Sequence, residues 1–454
     1  MNANSSLMSS TRSQTFGYSY RIASVTALSG FLFGFDTAII NGAIVFLRRH
    51  FRWSEIQTEL AAGSLLAGCA LGAGVAGALS DRFGRKFVLL LAAVIFAFSS
   101  VAAALPNGLG EFVAARVVAG VAIGIASMLA PLYIAEVSPA AIRGRLVSMN
   151  QLAIVLGILV SYLVGWAMAG LGEGSWRWMF AVAAAPSLLF FGALFFVPES
   201  PRWLVKEGRR EEAARVLARL EEPPSQLDEI ERAIAEESGS LRQLLEPGLR
   251  RPLLIGVTLA ILQQVTGINT VLYYGSIIFT EQAGATSTSA ALWANVLVGA
   301  MNLVFTVIAL FTIDRLGRKV LLISAAGGMG LSLTALGFVF SAGATTPSRV
   351  LALILCYVAC FAFGMGPGVW VVISELFPTR IRGRAMSVAT VALWLACLLI
   401  TLTFLSLVKA FTAAGAFWVY AFLCACTVWF VWTFTPETKG KNLEEIERQW
   451  TIRL

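Results

Sequence analysis

Twelve apolar stretches, each roughly twenty residues or longer, follow one another along the chain, and that is the length of helix that crosses a hydrocarbon core about 30 Å thick. They fall at about 22–47, 58–79, 87–105, 112–135, 146–170, 176–197, 253–280, 289–312, 319–341, 350–374, 385–408 and 413–434. Lipid offers no partner to a backbone N–H or C=O, so a spanning segment must be a helix or part of a closed barrel. The ten-residue alternation of an outer-membrane barrel is absent. Charged residues make up 13% of the chain, about half the share usual in a soluble protein. The fold class these features predict is an all-α, multi-pass membrane protein. We number the segments 1–12.

The few charges are placed unevenly. The even-numbered connections carry Arg82, Arg85 and Lys86, then Arg143 and Arg145, then the basic 198–252 stretch, then Arg315, Arg318 and Lys319, then Arg380, Arg382 and Arg384. The odd-numbered ones carry Arg48, Arg49 and Arg52, then Arg177, Arg349 and Lys409 singly. The positive-inside rule then predicts a cytoplasmic-membrane protein with both termini in the cytoplasm. The net charge of +8 reads as this topology signal, and its scatter over short loops argues against a nucleic-acid partner. Residues 1–20 are polar and precede no cleavage site, which predicts an uncleaved N-terminus. All six cysteines fall in apolar segments without metal-ligand spacing, and His50 is the only histidine. No metal, cofactor or catalytic side-chain set is expected, and the chain does not read as an enzyme.

One charged hexapeptide occurs twice. DRFGRK begins at 81, between segments 2 and 3, and DRLGRK begins at 314, between segments 8 and 9. EVSPAAIRGR at 136–145 returns as ELFPTRIRGR at 375–384, and PES at 198–200 as PET at 436–438. Twelve helices therefore divide into two copies of a six-helix unit, an arrangement typical of transporters. The division expected is 1–197 and 253–434 for the two halves, with 198–252 as a linker and 435–454 as a tail. The linker's EGRREEAARVLARL and LDEIERAIAEE show the charge spacing of short surface helices.

GALSDRFGRK (77–86), RGR (143–145), PESPRWL (198–204), QQVTGINTVLYY (263–274) and PETKGKNLEEIE (436–447) stand in order at helix junctions. Together they resemble the sugar porter branch of the major facilitator superfamily over nearly the whole chain. The resemblance implies twelve helices in two pseudo-symmetric halves that give alternating access to a central sugar site, in a monomer.

The repeated loops suit a gate. Gly84 and Gly317 supply the backbone freedom of a tight turn. Asp81 and Arg85 can form charge-assisted bonds with Glu136 and Arg145, extended by Glu199 and Arg202. Asp314, Arg318, Glu375 and Arg384 are the second-half gating set. Part-exposed ion pairs are individually weak, as a gate that opens every cycle requires. The alternative is that these charges only fix topology.

Inside the membrane, ionisable groups are functional candidates by default. Asp36 lies mid-segment 1 and Arg116 near the start of segment 4, and no second acid is placed as deep. Burial favours the neutral form of an acid and a nearby cation the charged form. A pair whose spacing changes can therefore load and release a proton; a static structural pair is the alternative. The resemblance sharpens this, since proton-coupled members carry an acid in the context FGYDTAVISG, similar to FGFDTAIING here, and uncoupled facilitators an asparagine.

A sugar presents hydroxyls that each donate and accept, on a ring with apolar faces. Amides meet the first need and aromatic rings the second. Gln151, Gln263, Gln264, Asn269, Asn302, Trp370 and Trp394 match the family's sugar-contacting positions, with Phe33 counted among them. Bonding between helices is the alternative for each amide. Tyr273 and Tyr274 match its extracellular gate. GMGPGVW (364–370) predicts a break in segment 10, and Gly267 an unwinding point in segment 7. The chain departs from the family at Leu393 and Cys397, where amides are usual or frequent. Fewer polar partners imply a sugar with fewer or differently placed hydroxyls, or a weaker affinity. The function expected is proton-coupled monosaccharide symport, with an uncoupled facilitator second and a transporter-like sugar sensor third.

Overall fold

Helix follows helix because apolar stretches are punctuated by caps and turn residues. Ser54 opens α2 (Glu55–Phe83) with a reciprocal box: its hydroxyl accepts from the Gln57 N–H while the Gln57 side chain accepts from the Ser54 N–H. Thr346 caps α10 (Pro347–Leu376), whose first residue is a proline with no N–H to satisfy. The computed structural model describes residues 3–139, 142–235, 244, 249–377, 379–437 and 439, with the side chains of 3–16, 314 and 379–382 outside that description.

The remaining spans of the first half are α1 (Ala3–Phe51), α3 (Arg85–Ala104), α4 (Leu109–Glu136), α5 (Arg143–Met168) and α6 (Ser175–Leu194). The second half begins with α7 (Arg250–Gln282), α8 (Thr288–Leu316) and α9 (Arg318–Ser341). Among the described residues, eleven helices are long and apolar enough to cross a bilayer. The last of these, Gly383–Phe434, has 52 residues and is two spans. Thr412 breaks it with φ 64 and ψ 168, so α11 is 379–411 and α12 is 413–434. The expected separation of segments 11 and 12 is thus one left-handed residue rather than a loop. Twelve crossings in two six-helix halves result.

Backbones approach closely where a side chain would not fit. A Cβ at Gly120 would lie 1.9 Å from the Leu65 carbonyl, and one at Gly34 the same distance from that of Ile154. These contacts clamp α2 to α4 and α1 to α5, as small residues do wherever lipid supplies no hydrophobic drive between helices.

In the linker, Pro201–Lys206, Arg210–Arg219 and Ser225–Ala235 are short helices. Trp203, Leu204 and Ala213 form a small core there, and the Trp203 indole N–H donates to the Asp81 carbonyl at 3.0 Å. The linker residues 236–243 and 245–248, and most of the tail, lie outside the described residues.

The halves meet along α1–α7, α2–α11 and α5–α8. Asn41 of α1 is the densest polar contact. Its amide donates to the Leu272 carbonyl (2.9 Å) and its side-chain oxygen accepts from the Ser276 N–H (2.7 Å). Tyr162 of α5 donates to the same Leu272 carbonyl at 2.9 Å. Arg48 pairs with Glu281, and Lys409 with Glu55. All these bonds lie toward one end of the bundle, here called the opposite face. The basic face is the end bearing the repeated DRxGRK loops.

Candidate functional site

Two helix breaks bring three of the predicted amides, Gln263, Gln264 and Asn269, together. Gly267 takes φ 92, a left-handed conformation, and divides α7 into Arg250–Val265 and Ile268–Ile277. A Cβ there would also sit 2.9 Å from the Tyr420 ring, so glycine is required twice. Tyr357 donates to the Thr266 carbonyl freed at this break, at 2.9 Å. In α10 the predicted break is a widened turn over Phe361–Met365, where the Gly366 N–H reaches back to the Phe361 carbonyl. Pro367, with no N–H, follows directly.

Gln263 ties one break to the other. Its amide donates to the carbonyls of Met365 (2.8 Å) and Gly366 (2.9 Å), which commits both hydrogens to the main chain of α10. The Gln263 oxygen accepts from Gln264 at 3.1 Å. Gln264 in turn accepts from Asn269, and Asn269 also donates to the Cys397 sulfur at 3.0 Å. Tyr273 places its hydroxyl 3.8 Å from the same sulfur. The departure at Cys397 is therefore part of the polar chain and not a bystander to it.

Across from this chain, Phe33 of α1 meets Trp394 of α11 edge-on, with centroids 5.3 Å apart. Trp394 is buried and among the described residues its indole N–H has no partner. Trp370 and Gln151 are half-buried, and among the described residues the Gln151 side chain makes no hydrogen bond. Asn302 is buried and accepts from Thr306 at 3.5 Å. Leu393, at the other departure, is buried. Tyr274 is turned away from the amides, donating to the Thr401 carbonyl at 2.7 Å and stacking on Phe404.

The buried charges pair. Arg116 reaches both carboxylate oxygens of Asp36 at 2.7 Å and donates to the Asp36 carbonyl at 3.2 Å. Both side chains are at most 2% exposed, and the guanidinium lies over the Phe180 ring at 5.2 Å. An ion pair this dry is held by geometry, because desolvation costs several kcal/mol per ion.

At the basic face, Arg85 forks onto Glu136 (3.1 and 3.2 Å) and reaches Asp81 at 3.2 Å. Asp81 is half exposed and also takes Lys206 at 3.0 Å. Glu199 differs from expectation. Its carboxylate caps the start of α3, accepting the N–H groups of Arg85 (3.0 Å) and Lys86 (3.1 Å). Burial pushes the Glu199 carboxyl above its usual range, against the pull of these backbone donors. Arg145 also differs: it is exposed and among the described residues joins no ion pair, because its helix start points it outward. Arg202 is half-buried and bonded, and Arg384 is likewise half-buried.

The second half repeats the device. Arg318 pairs with Glu375 at 3.0 Å, and Glu437 accepts the N–H groups of Arg318 (3.0 Å) and Lys319 (3.1 Å). The side chain of Asp314 lies outside the described residues. Glu437 is absent from the expected site set, although the PES and PET repeat pointed to it. Asn41 gave no such signal. A further correction concerns acids: Glu59, near the start of α2, is 2% exposed, so Asp36 is not alone. An N-terminal position in a helix reads as exposed until the neighbouring helix is in place.

Comparison with known proteins follows this geometry. A family model described as "Sugar (and other) transporter" matches residues 22–450. The arabinose-proton symporter of Bacillus subtilis (strain 168) is 39% identical over 455 residues, covering 97% of each chain. The D-xylose-proton symporter of Escherichia coli (strain K12) is 40% identical, covering 95% of this chain and 96% of its own. Among solved structures, the partially occluded inward-open xylose transporter XylE from E. coli superposes with TM-score 0.84 at 37% identity, covering 94% of this chain and all of that one. XylE bound to 6-bromo-6-deoxy-D-glucose gives 0.83 at 39%, covering 96% and 100%. A multi-pass membrane protein with this fold, matched end to end, belongs to the sugar porter family of the major facilitator superfamily.

Proposed function

We propose that the chain is a proton-coupled monosaccharide symporter working by alternating access. The observation that carries this reading is the dry Asp36–Arg116 pair, since an ionisable couple is costly to bury and earns its place by changing charge during transport. Asp36 takes the proton, and Arg116 competes with it for the carboxylate. The sugar is held by Gln264, Asn269, Asn302, Gln151 and the faces of Trp370, Trp394 and Phe33, with Gln263 fixing the two breaks. Asp81, Arg85, Glu136, Glu199, Arg202, Asp314, Arg318, Glu375 and Arg384 act at the basic face, and Tyr273 and Tyr274 on the opposite side.

The expected monosaccharide is a pentose or hexose; the arabinose and xylose named for the two relatives above are pentoses. The halves are 1–197 and 253–434, joined by 198–252, with a tail at 435–454. The basic face lies in the cytoplasm with both termini, and the transporter works as a monomer.

Asp36→Asn tests the coupling in proteoliposomes. It keeps size and hydrogen bonding but removes titration, so accumulation driven by a pH gradient should vanish. Exchange of internal for external sugar, which moves no net proton, should persist. Accumulation by the Asn variant would overturn the role of Asp36. Absence of accumulation by the unmodified protein would make it a facilitator.

A further inference from the structure

Glu59 is a fully buried acid outside the proton pair and the sugar site, and it stands between the two halves. One carboxylate oxygen accepts the Ser406 N–H at 2.8 Å and the other the Ser406 hydroxyl at 2.7 Å. Glu59 belongs to α2 in the first half and Ser406 to α11 in the second. Among the described residues no cation lies within ion-pair distance of Glu59. Its neighbours of like kind, Glu55 and Lys409, are spent on each other at 3.1 Å, one turn nearer the opposite face.

The two helices are tightest at this end. One turn deeper, a Cβ at Gly63 would lie 2.7 Å from Leu402, whereas at Gly74, toward the basic face, the nearest atom is Val391 at 4.0 Å. Glu59 therefore sits where α2 and α11 close together and must part when the opposite face opens. A carboxylate on two donors of one residue also fixes the angle between the helices, which a single bond does not. Opening costs both bonds at once, and water replaces them only after the helices separate.

We propose that Glu59 and Ser406 form the latch of the opposite face, with Glu59 a positioning residue whose bonds are made and broken in every transport cycle. This rests on the alternating-access reading. The latch acts on the balance between access states and touches neither sugar nor proton. It predicts a split in kinetics that a packing role lacks: loosening it favours the state open at that face, lowering KM for sugar offered there, and slows turnover by hindering closure.

The test uses full-length protein in proteoliposomes, with transport kinetics and amide hydrogen exchange measured together. In Glu59→Gln the negative charge is lost: the amide oxygen can still accept the Ser406 N–H, but the other contact becomes a neutral N–H donation to the Ser406 hydroxyl. Exchange in the α2 and α11 ends around 59 and 406 should rise about tenfold or more, as expected for a lost charge-assisted bond. Ser406→Ala, which keeps the N–H bond, should give a smaller rise, and Ser406→Thr, which keeps both donors, almost none. The double variant Glu59→Gln/Ser406→Ala should be no worse than Glu59→Gln. Should Glu59→Gln not fold, the order Thr before Ala at 406 still decides. Unchanged exchange and KM would overturn the latch, and so would exchange raised equally over the whole chain. If the unmodified protein moves no sugar, the transport reading fails, while the local exchange order still decides the latch.

Discussion

At the scale of single residues, two glycines show how strongly one position can be specified. Gly84 and Gly317 both take φ 91 with extended ψ at the repeated loop, a conformation that costs other residues about 1–3 kcal/mol. Each also lets a carboxylate approach the start of the next helix. A Cβ at Gly84 would lie 2.4 Å from Glu199, and one at Gly317 2.9 Å from Glu437. Gly84→Ala should therefore lower the thermal unfolding midpoint more than Gly317→Ala, and both by more than the backbone term alone. Melting of the two variants in the same detergent checks the order. The backbone need for glycine was legible from the DRxGRK repeat. The carboxylates above them were not, since their approach is a matter of tertiary distance.

At the scale of elements, α7 and α10 are each broken and the breaks are tied by Gln263. Losing that tether takes a donor from each of two buried carbonyls, at about 0.5–1.5 kcal/mol each. Gln263→Ala should thus lower the unfolding midpoint with or without sugar. Gln264→Ala, which leaves the α10 carbonyls bonded, should cost sugar affinity with far less change in stability. Calorimetric sugar titration alongside melting separates the two, and equal behaviour would dissolve the division of labour between adjacent glutamines. Both breaks were readable from Gly267 and from GMGPGVW. That Gln263 spends its hydrogens on main chain was not readable, because it depends on two helices a hundred residues apart coming into register.

For the molecule as a whole, the Asp36–Arg116 pair proposed to carry the proton lies within the first half, while most amides and indoles proposed to hold the sugar lie in the second. Coupling must cross between them. Phe33, three residues before Asp36, touches Trp394 and is a direct physical link. An aromatic pair contributes about 0.5–1.5 kcal/mol beyond its buried area. Phe33→Ala should accordingly raise the sugar KM about two- to tenfold and lower the accumulation reached at a fixed pH gradient, with exchange still running. Unchanged accumulation would place the coupling route elsewhere, with the Asn41 contacts to α7 the next to examine.

Twelve apolar stretches, their duplicated loops and the acid in segment 1 determined the fold class, the two-half plan and the Asp36–Arg116 partnership from sequence alone. Lipid forces every spanning segment into helix, and a charge within such a segment must find its opposite. Tertiary structure alone decided which polar groups face each other across helices. Asn41 on α7, Glu59 on Ser406 and Cys397 under Asn269 have no local signature, since an amide, an acid near a helix start and a small thiol are ordinary in their own segments. Their meaning comes from the partner helix, whose rotation and depth are set by side-chain packing along its full length.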